Sequence, residues 1–393
     1  MTTPALRFTE FDGDWISSPL KKFFPKIRNG FVGIATPYYV ANGVKYLQGK
    51  NVKDGRIDPT GLIYISEEFH AKKSNSKLAI DDILMVQSGH VGECAVIDKE
   101  YDNANCHALI VLSPHKEQET NSHFVKYYFY TPIGKKIISQ IKTGNTIEHV
   151  LASEVKEIYL NFPSKVEQTK IASFLSIVDE KIAQLSQKHQ LLSQYKQGMM
   201  QKIFSQQIRF KADNGSEFGE WEETTLCKVV NFQNGKRVPL SESDRQKRQG
   251  KYRYYGASGV IDHIDDYIFD GQYILIGEDG ANIITRSSPL AFIVEGQFWV
   301  NNHAHILQSK NGSNVFLAAY LESLNYEKFN SGTVQPKLNL DNLKKVPVIN
   351  PCLDEQTKIA NFLSAIDQKI VVVAQQIEQA KQWKKGLLQQ MFV

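Results

Sequence analysis

At roughly 150 residues per domain, a chain of 393 residues and 44.6 kDa has room for two or three domains with substantial cores, which excludes a single small module. Its 42% hydrophobic and 22% charged residues exclude collagen-like, disulfide-dense and wholly disordered proteins. A net charge of +4 is too small for a generally basic coat, so any nucleic-acid surface must be a local patch.

No apolar run approaches the roughly 18 residues of a membrane span, and Met1 to Glu10 lacks a signal-peptide pattern. The expected location is the cytoplasm, with no membrane partner. Cys94, Cys106, Cys227 and Cys352 lie far apart without a CxxC pair, which predicts reduced structural thiols and no zinc ribbon. In chain order, Asp82 to Val86, Cys94 to Asp98 and Ala108 to Ser113 are short β-rich runs, followed by a helical stretch from Ser122 to Gln140. Pro163 then stands ahead of a helix that Ser164-x-x-Glu167 opens as a capping box. Along it Ile171, Leu175, Val178, Ile182, Leu185, His189, Leu192, Lys196, Met199 and Ile203 alternate steps of four and three, a heptad seam. Lys211 to Glu220 is a polar link. Lys236, Arg237, Arg245, Lys247, Arg248, Lys251 and Arg253 form the strongest local basic run, either a nucleic-acid patch or a solvated loop. Tyr273 to Ile276, Ala291 to Val294 and Ala304 to Gln308 repeat the strand order, and Asn314 to Leu324 repeats the helix. A second seam, Ile359, Leu363, Ile366, Ile370, Val373, Ile377, Ala380, Lys384, Leu387 and Met391, follows Pro351.

The chain is therefore a tandem repeat. Glu167-Gln-Thr-Lys-Ile-Ala172 recurs 188 residues later as Glu355 to Ala360, and 12 of 16 positions from 167 to 182 are identical to those from 355 to 370. A shorter echo sets Tyr38-Tyr-Val-Ala-Asn-Gly-Val44 beside Tyr254-Tyr-Gly-Ala-Ser-Gly-Val260, with extra residues after the first. The fold class expected is mixed α/β: domain, long helix, domain, long helix, with the two apolar seams packing on each other.

Catalytic chemistry is not legible. There is no GxxxxGK[ST] phosphate loop and no [DN]-P-P-[FY] tetrapeptide to hold a flipped base. Glu154-Val-Lys156 is only half of a nuclease metal site, and His107, His303 and His305 lack further ligands at metal spacing, so no catalytic residue, metal or cofactor is assigned to this chain. Polar glycine-bearing loops, by contrast, recur at matching places. Gln87-Ser88-Gly-His90 and Gly277-Glu278-Asp279-Gly280, with Asn282 beyond, carry amides and carboxylates suited to base edges. Lys142-Thr143-Gly-Asn145 and the stretch Thr333, Gln335, Lys337 suit phosphates, as do Lys236 and Arg237. The echo adds Tyr39, Asn42, Tyr255 and Ser258 as candidate nucleic-acid contacts.

With its doubled Pro...Glu-Gln-Thr-Lys-Ile-Ala-x-Phe-Leu...Asp-x-Lys-Ile, closing on Lys196-Gln-Gly198 and Lys385-Gly386, the whole chain resembles the specificity subunits of type I restriction-modification systems. The resemblance implies two target recognition domains, residues 1–164 and 207–352, alternating with helices 165–206 and 353–393. It implies that the helices pair as an antiparallel coiled coil that sets a spacer. Each domain would read half of a split sequence in double-stranded DNA. Two methyltransferase subunits carrying S-adenosylmethionine would dock on the helices, and motor-nuclease subunits would join them. Coiled-coil and partner contacts are expected from Ile171, Phe174, Leu175, Val178, Ile182, Leu185, Ile359, Phe362, Leu363, Ile366, Ile370 and Val373. On residues alone a pure coiled-coil scaffold, an RNA module stacking Tyr39 and Tyr255 on bases, and a self-contained enzyme stay open.

Overall fold

The computed structural model describes every residue except 1–2, 116, 118, 145–147 and 333. It divides into two compact units, residues 1–185 with 375–393, and residues 186–374. Each holds one globular domain with part of both long helices, Lys165–Phe204 and Leu353–Gln390.

In the first domain an antiparallel sheet runs in the order Lys26–Asn29, Leu109–Ser113, Ile83–Val86, Cys94–Val96. Its central strand is apolar throughout because alternate side chains enter different cores. Ile83 and Met85 join the core beneath helix Ser122–Tyr130, while Leu84 and Val86 join a second core with Leu47 and Val52. The second domain repeats this with Val230–Phe232, Ala304–Ser309, Tyr273–Gly277 and Ala291–Val294. There Ile274 and Ile276 face one core and Leu275 the other. Each domain adds a second four-stranded sheet.

Two expectations need correction. The stretch from Ser122 to Gln140 is two helices, Ser122–Tyr130 and Pro132–Ile141. Thr131, forced extended by the proline after it, separates them and caps the second by accepting a bond from Gly134 N at 2.9 Å. The shorter echo also misaligns the copies. Tyr46 and Leu47 pair in parallel with Asn105 and Cys106, as Tyr254 and Tyr255 do with Trp299 and Val300. The counterpart of Tyr254 is thus the equally buried Tyr46, whereas Tyr38 is exposed in a short helical turn. What the echo shares is turn chemistry: a Cβ on Gly43 would stand 2.3 Å from the Ile65 oxygen, and Gly259 has φ +141°.

The long repeat, in contrast, is a set of sockets. Ser164 Oγ accepts from Glu167 N at 3.3 Å, but the Glu167 carboxylate completes no capping box; it accepts Arg7 Nε and Nη2 at 2.8 Å each. Glu355 takes Arg209 Nε at 3.1 Å and Nη2 at 2.7 Å, and also Trp221 Nε1 at 2.7 Å. Gln168 Nε2 donates to the Pro163 oxygen and its Oε1 accepts Asn121 N at the start of helix Ser122–Tyr130. Gln356 does the same with Pro351 and Ser313 N. Lys170 pairs with Glu10 as Lys358 pairs with Asp213. The repeated hexapeptide thereby clamps each domain to the helix that follows it.

Both units show antiparallel helix pairing. In the first, Ile171, Leu175, Val178 and Ile182 share a core with Leu387, Leu388, Met391 and Phe392, and Leu185 is buried. In the second, Ile203 shares a core with Ile359 and Leu363, while Ile366 and Val373 are buried and Ile370 is half-buried. Phe174 is covered by Phe8 and edged by Trp383, and Phe362 is covered by Phe210. Two seam positions are lysines, and each meets an aspartate of the other helix: Lys196 with Asp367 and Lys384 with Asp179, both at 2.6 Å. A charged residue on a seam costs stability but specifies register.

Lys126, on helix Ser122–Tyr130, is 5% exposed, its ammonium 3.8 Å from the Tyr127 ring centroid. It has no ion pair within 4 Å among the described residues, and burial pulls its pKa down to about 8. A base that is harder to protonate folded than unfolded weakens the fold below its folded pKa, and the penalty fades between about 8 and the ordinary value of 10.5. Lys126→Met is therefore expected to raise unfolding free energy at pH 7 by about 1 to 3 kcal/mol. The gain should shrink as pH rises from 8 to 10; denaturant melts at both values check it, and a pH-independent gain would refute the account.

Candidate nucleic-acid interface

Gln87, Ser88 and His90 form the turn after strand Ile83–Val86, with Gly89 at φ +82°. The structure lays this turn edge to edge with the second predicted loop. Val150 N donates to Gln87 O at 2.9 Å, Ser88 bridges His149, and Thr143 and His149 exchange backbone bonds at 2.9 Å. Lys142 is tied to Glu148 at 2.8 Å. Asn145 lies outside the described residues.

The second domain builds the same frame. Leu338 N donates to Glu278 O at 2.8 Å, Asp279 bridges Lys337, and Ser331 N donates to Lys337 O at 2.8 Å, with Gly280 at φ +106°. Residues 143, 149 and 150 correspond to 331, 337 and 338 at the 188-residue offset of the long repeat. Gln87 and Ser88 correspond to Glu278 and Asp279. Gln335 is exposed, and its carbonyl lies so near Gly332 that a Cβ there would approach to 1.8 Å. Thr333 lies outside the described residues.

Other predicted contacts fare differently. Asn42 and Ser258 are exposed in turns, and Tyr39 is half-buried, its hydroxyl accepting from Gln48 at 3.2 Å. Tyr255 is 6% exposed and packs edge-on to Phe298, so its ring is not presented for stacking. Asn282 spends its amide on Ser288 N and O, closing its own loop. The basic run divides in two. Arg237 pairs with Glu278 at 2.7 Å, Arg245 with Asp262 at 3.0 Å and Arg248 with Asp265 at 2.8 Å. Lys236, Lys247, Lys251 and Arg253 are exposed and have no ion pair within 4 Å among the described residues.

Sequence reasoning missed the network under the second loop, because its members are scattered along the chain. Arg237 Nη1 also donates to the Asn302 and Ala304 oxygens, Lys337 lies 3.6 Å from Glu278, and buried His305 lies 3.8 Å away. His305 Nε2 donates to Leu338 O at 2.7 Å, so Nδ1 accepts from Asn234 at 2.8 Å. Burial alone would raise the Glu278 pKa, but the Arg237 guanidinium and the Lys337 ammonium outweigh it and hold the carboxyl below the usual range. Burial keeps His305 neutral, its pKa lowered despite the Leu338 carbonyl. The result is a stapled loop on a satisfied polar base.

The same stapled loop frame thus stands on each of two repeated domains, and each domain is clamped to a long helix. The chain matches the type I restriction modification DNA specificity domain over residues 13–194 and 219–382, and it belongs to that family. Its role is DNA sequence specificity within a type I restriction-modification system. A Haemophilus influenzae protein named as a type I restriction enzyme specificity subunit is 36% identical over 153 residues, 39% of this chain and 38% of that one. A Methanocaldococcus jannaschii protein named as a specificity subunit of the same enzyme type is 24% identical over an alignment of 408 residues, 96% of this chain and 93% of that one. The crystal structure of a type I restriction-modification S subunit from M. genitalium has the same fold, with TM-score 0.67 and 19% identity over 100% of this chain and 99% of that one. No helix among the described residues is long and apolar enough to cross a membrane.

Proposed function

We propose that each domain reads one half of a split sequence in double-stranded DNA, through Gln87, Ser88 and His90 in the first and the Glu278 to Gly280 loop in the second. Lys142, Thr143, Lys236, Lys247, Lys251 and Lys337 meet phosphates and set register, and helix length sets the spacer. The chain is noncatalytic and works in the cytoplasm. Two methyltransferase subunits, holding the S-adenosylmethionine, dock on the long helices, and motor-nuclease subunits complete the assembly. The observation that carries this reading is the frame of paired polar loops, whose stapling backbone bonds from residues 150 and 338 to Gln87 and Glu278 and from residues 143 and 331 to residues 149 and 337 recur on two domains while its side chains differ. A scaffold needs no such loops, and an RNA module that stacks bases on Tyr255 meets a buried ring.

The test is genome-wide mapping of methylated adenine by single-molecule sequencing, in cells expressing the chain with its modification subunit. A split motif that disappears when the chain is omitted is the expected result; methylation that persists without it would sink the proposal.

The phosphate contacts have their own readout. Lys236→Ala should weaken binding of the complex to all duplexes alike and reduce the slope of log affinity against log salt by about 1. Titrations at several salt concentrations check this, and a change in sequence preference at equal affinity would instead make Lys236 a base reader. Arg237→Ala is a different experiment, since it removes the nearer of the two cations beside Glu278 and leaves only Lys337.

A further inference from the structure

The two copies hold their first reading loop on one backbone frame but present different heads, and in the second domain the two acidic heads are not equivalent. Glu278 is consumed from beneath. Its Oε2 accepts Arg237 at 2.7 Å, its Oε1 faces Lys337 at 3.6 Å, and its side chain is 15% exposed. Asp279 stands one residue nearer the glycine apex. Its Oδ2 is held by His303 Nδ1 at 2.8 Å, and its Oδ1 takes no donor among the described residues. Its backbone is stapled to Lys337. The result is a half-buried carboxylate with one oxygen fixed by His303 and the other without a donor among the described residues, on a backbone bridged to Lys337.

We propose that Asp279 is the base-reading carboxylate of the second domain and selects an exocyclic amine, cytosine N4 or adenine N6, in its half of the target. The inference rests on the DNA-reading role proposed above. A carboxylate brought against DNA is repelled by phosphates and by the carbonyl edges of guanine and thymine, so it is tolerated only where the groove offers a donor. Discrimination by such a pair is worth about tenfold or more per position. The counterpart in the first domain is Ser88, whose hydroxyl can donate or accept, so the other half-site carries no such demand at the matching place.

The experiment is adenine-methylation mapping with the full complex, comparing wild type, Asp279→Asn and Ser88→Ala. Wild type should show a cytosine or adenine fixed at one position of one half-site, and the motif itself tells which. Asp279→Asn, whose amide can donate as well as accept, should no longer exclude guanine and thymine at that position, losing about tenfold or more in discrimination against them, with the other half-site and the spacer unchanged. Ser88→Ala should touch only the other half. An Asp279→Asn motif identical to wild type overturns the proposal, as does relaxation of both halves together. If Asp279→Asn abolishes methylation, the thermal midpoint decides the next step. An unchanged midpoint with loss of binding to every duplex overturns the proposal. A lowered midpoint turns the test to Asp279→Ser, the first domain's own solution, which must yield the relaxed motif or the proposal fails. Absence of any chain-dependent split motif in wild type is the separate failure of the reading beneath it.

Discussion

Glu355→Ala should lower the unfolding free energy of the second unit by about 3 kcal/mol. Glu355 is fully buried, and its carboxylate accepts two bonds from Arg209 and one from Trp221. Removing it leaves a guanidinium and a buried indole N–H without their acceptor, and such uncompensated groups cost more than the intact pair contributes. Arg209 keeps some contact with water, so the expected loss lies at the low end of the range for broken buried pairs. Glu355→Gln, which keeps shape and one acceptor, should cost less. Denaturant melts of the complex, with hydrogen exchange at the Trp221 indole, check both. A loss below about 1 kcal/mol for the alanine variant would mean that the repeated glutamate is not an anchor.

Inserting four residues after Leu185 should abolish sequence-specific binding or move the preferred spacer. The insertion lengthens the central helix by about 6 Å between Asp179 and Lys196, while the other helix keeps its length between Asp367 and Lys384. The ion pairs Asp179 with Lys384 and Lys196 with Asp367 hold these same four residues in register, so both cannot survive a change in one helix alone. A matching insertion after Val373, the equivalent position 188 residues on, should restore both pairs and give a complex with a longer spacer. Methylation mapping of the single and double insertions reads the outcome. An unchanged spacer preference in the single insertion would refute the idea that helix length is the ruler.

Much of this architecture is legible in the sequence because it is local and periodic. The seam residues and the apolar strands announce themselves, since Ile83 to Val86 and Tyr273 to Gly277 are buried on both faces. The four polar loops are visible as glycine-punctuated turns. Their meeting is not, because the bonds from Val150 to Gln87 and from Leu338 to Glu278 join residues about sixty positions apart. Nor could composition tell which cations were free: Arg237, Arg245 and Arg248 find their acids on other elements, while the intervening lysines do not. The bonds of Asn282 were hidden for the opposite reason, since its amide is engaged within its own loop only a few residues away. The echo around Tyr38 and Tyr254 misled because a turn can recur without the strand beside it.

The clamp of arginine, glutamate and glutamine at the foot of each long helix has a further consequence. It asks the same few residues of either domain, and none of its bonds is made to the paired polar loops. Variation in one loop therefore leaves the foundation of both domains untouched.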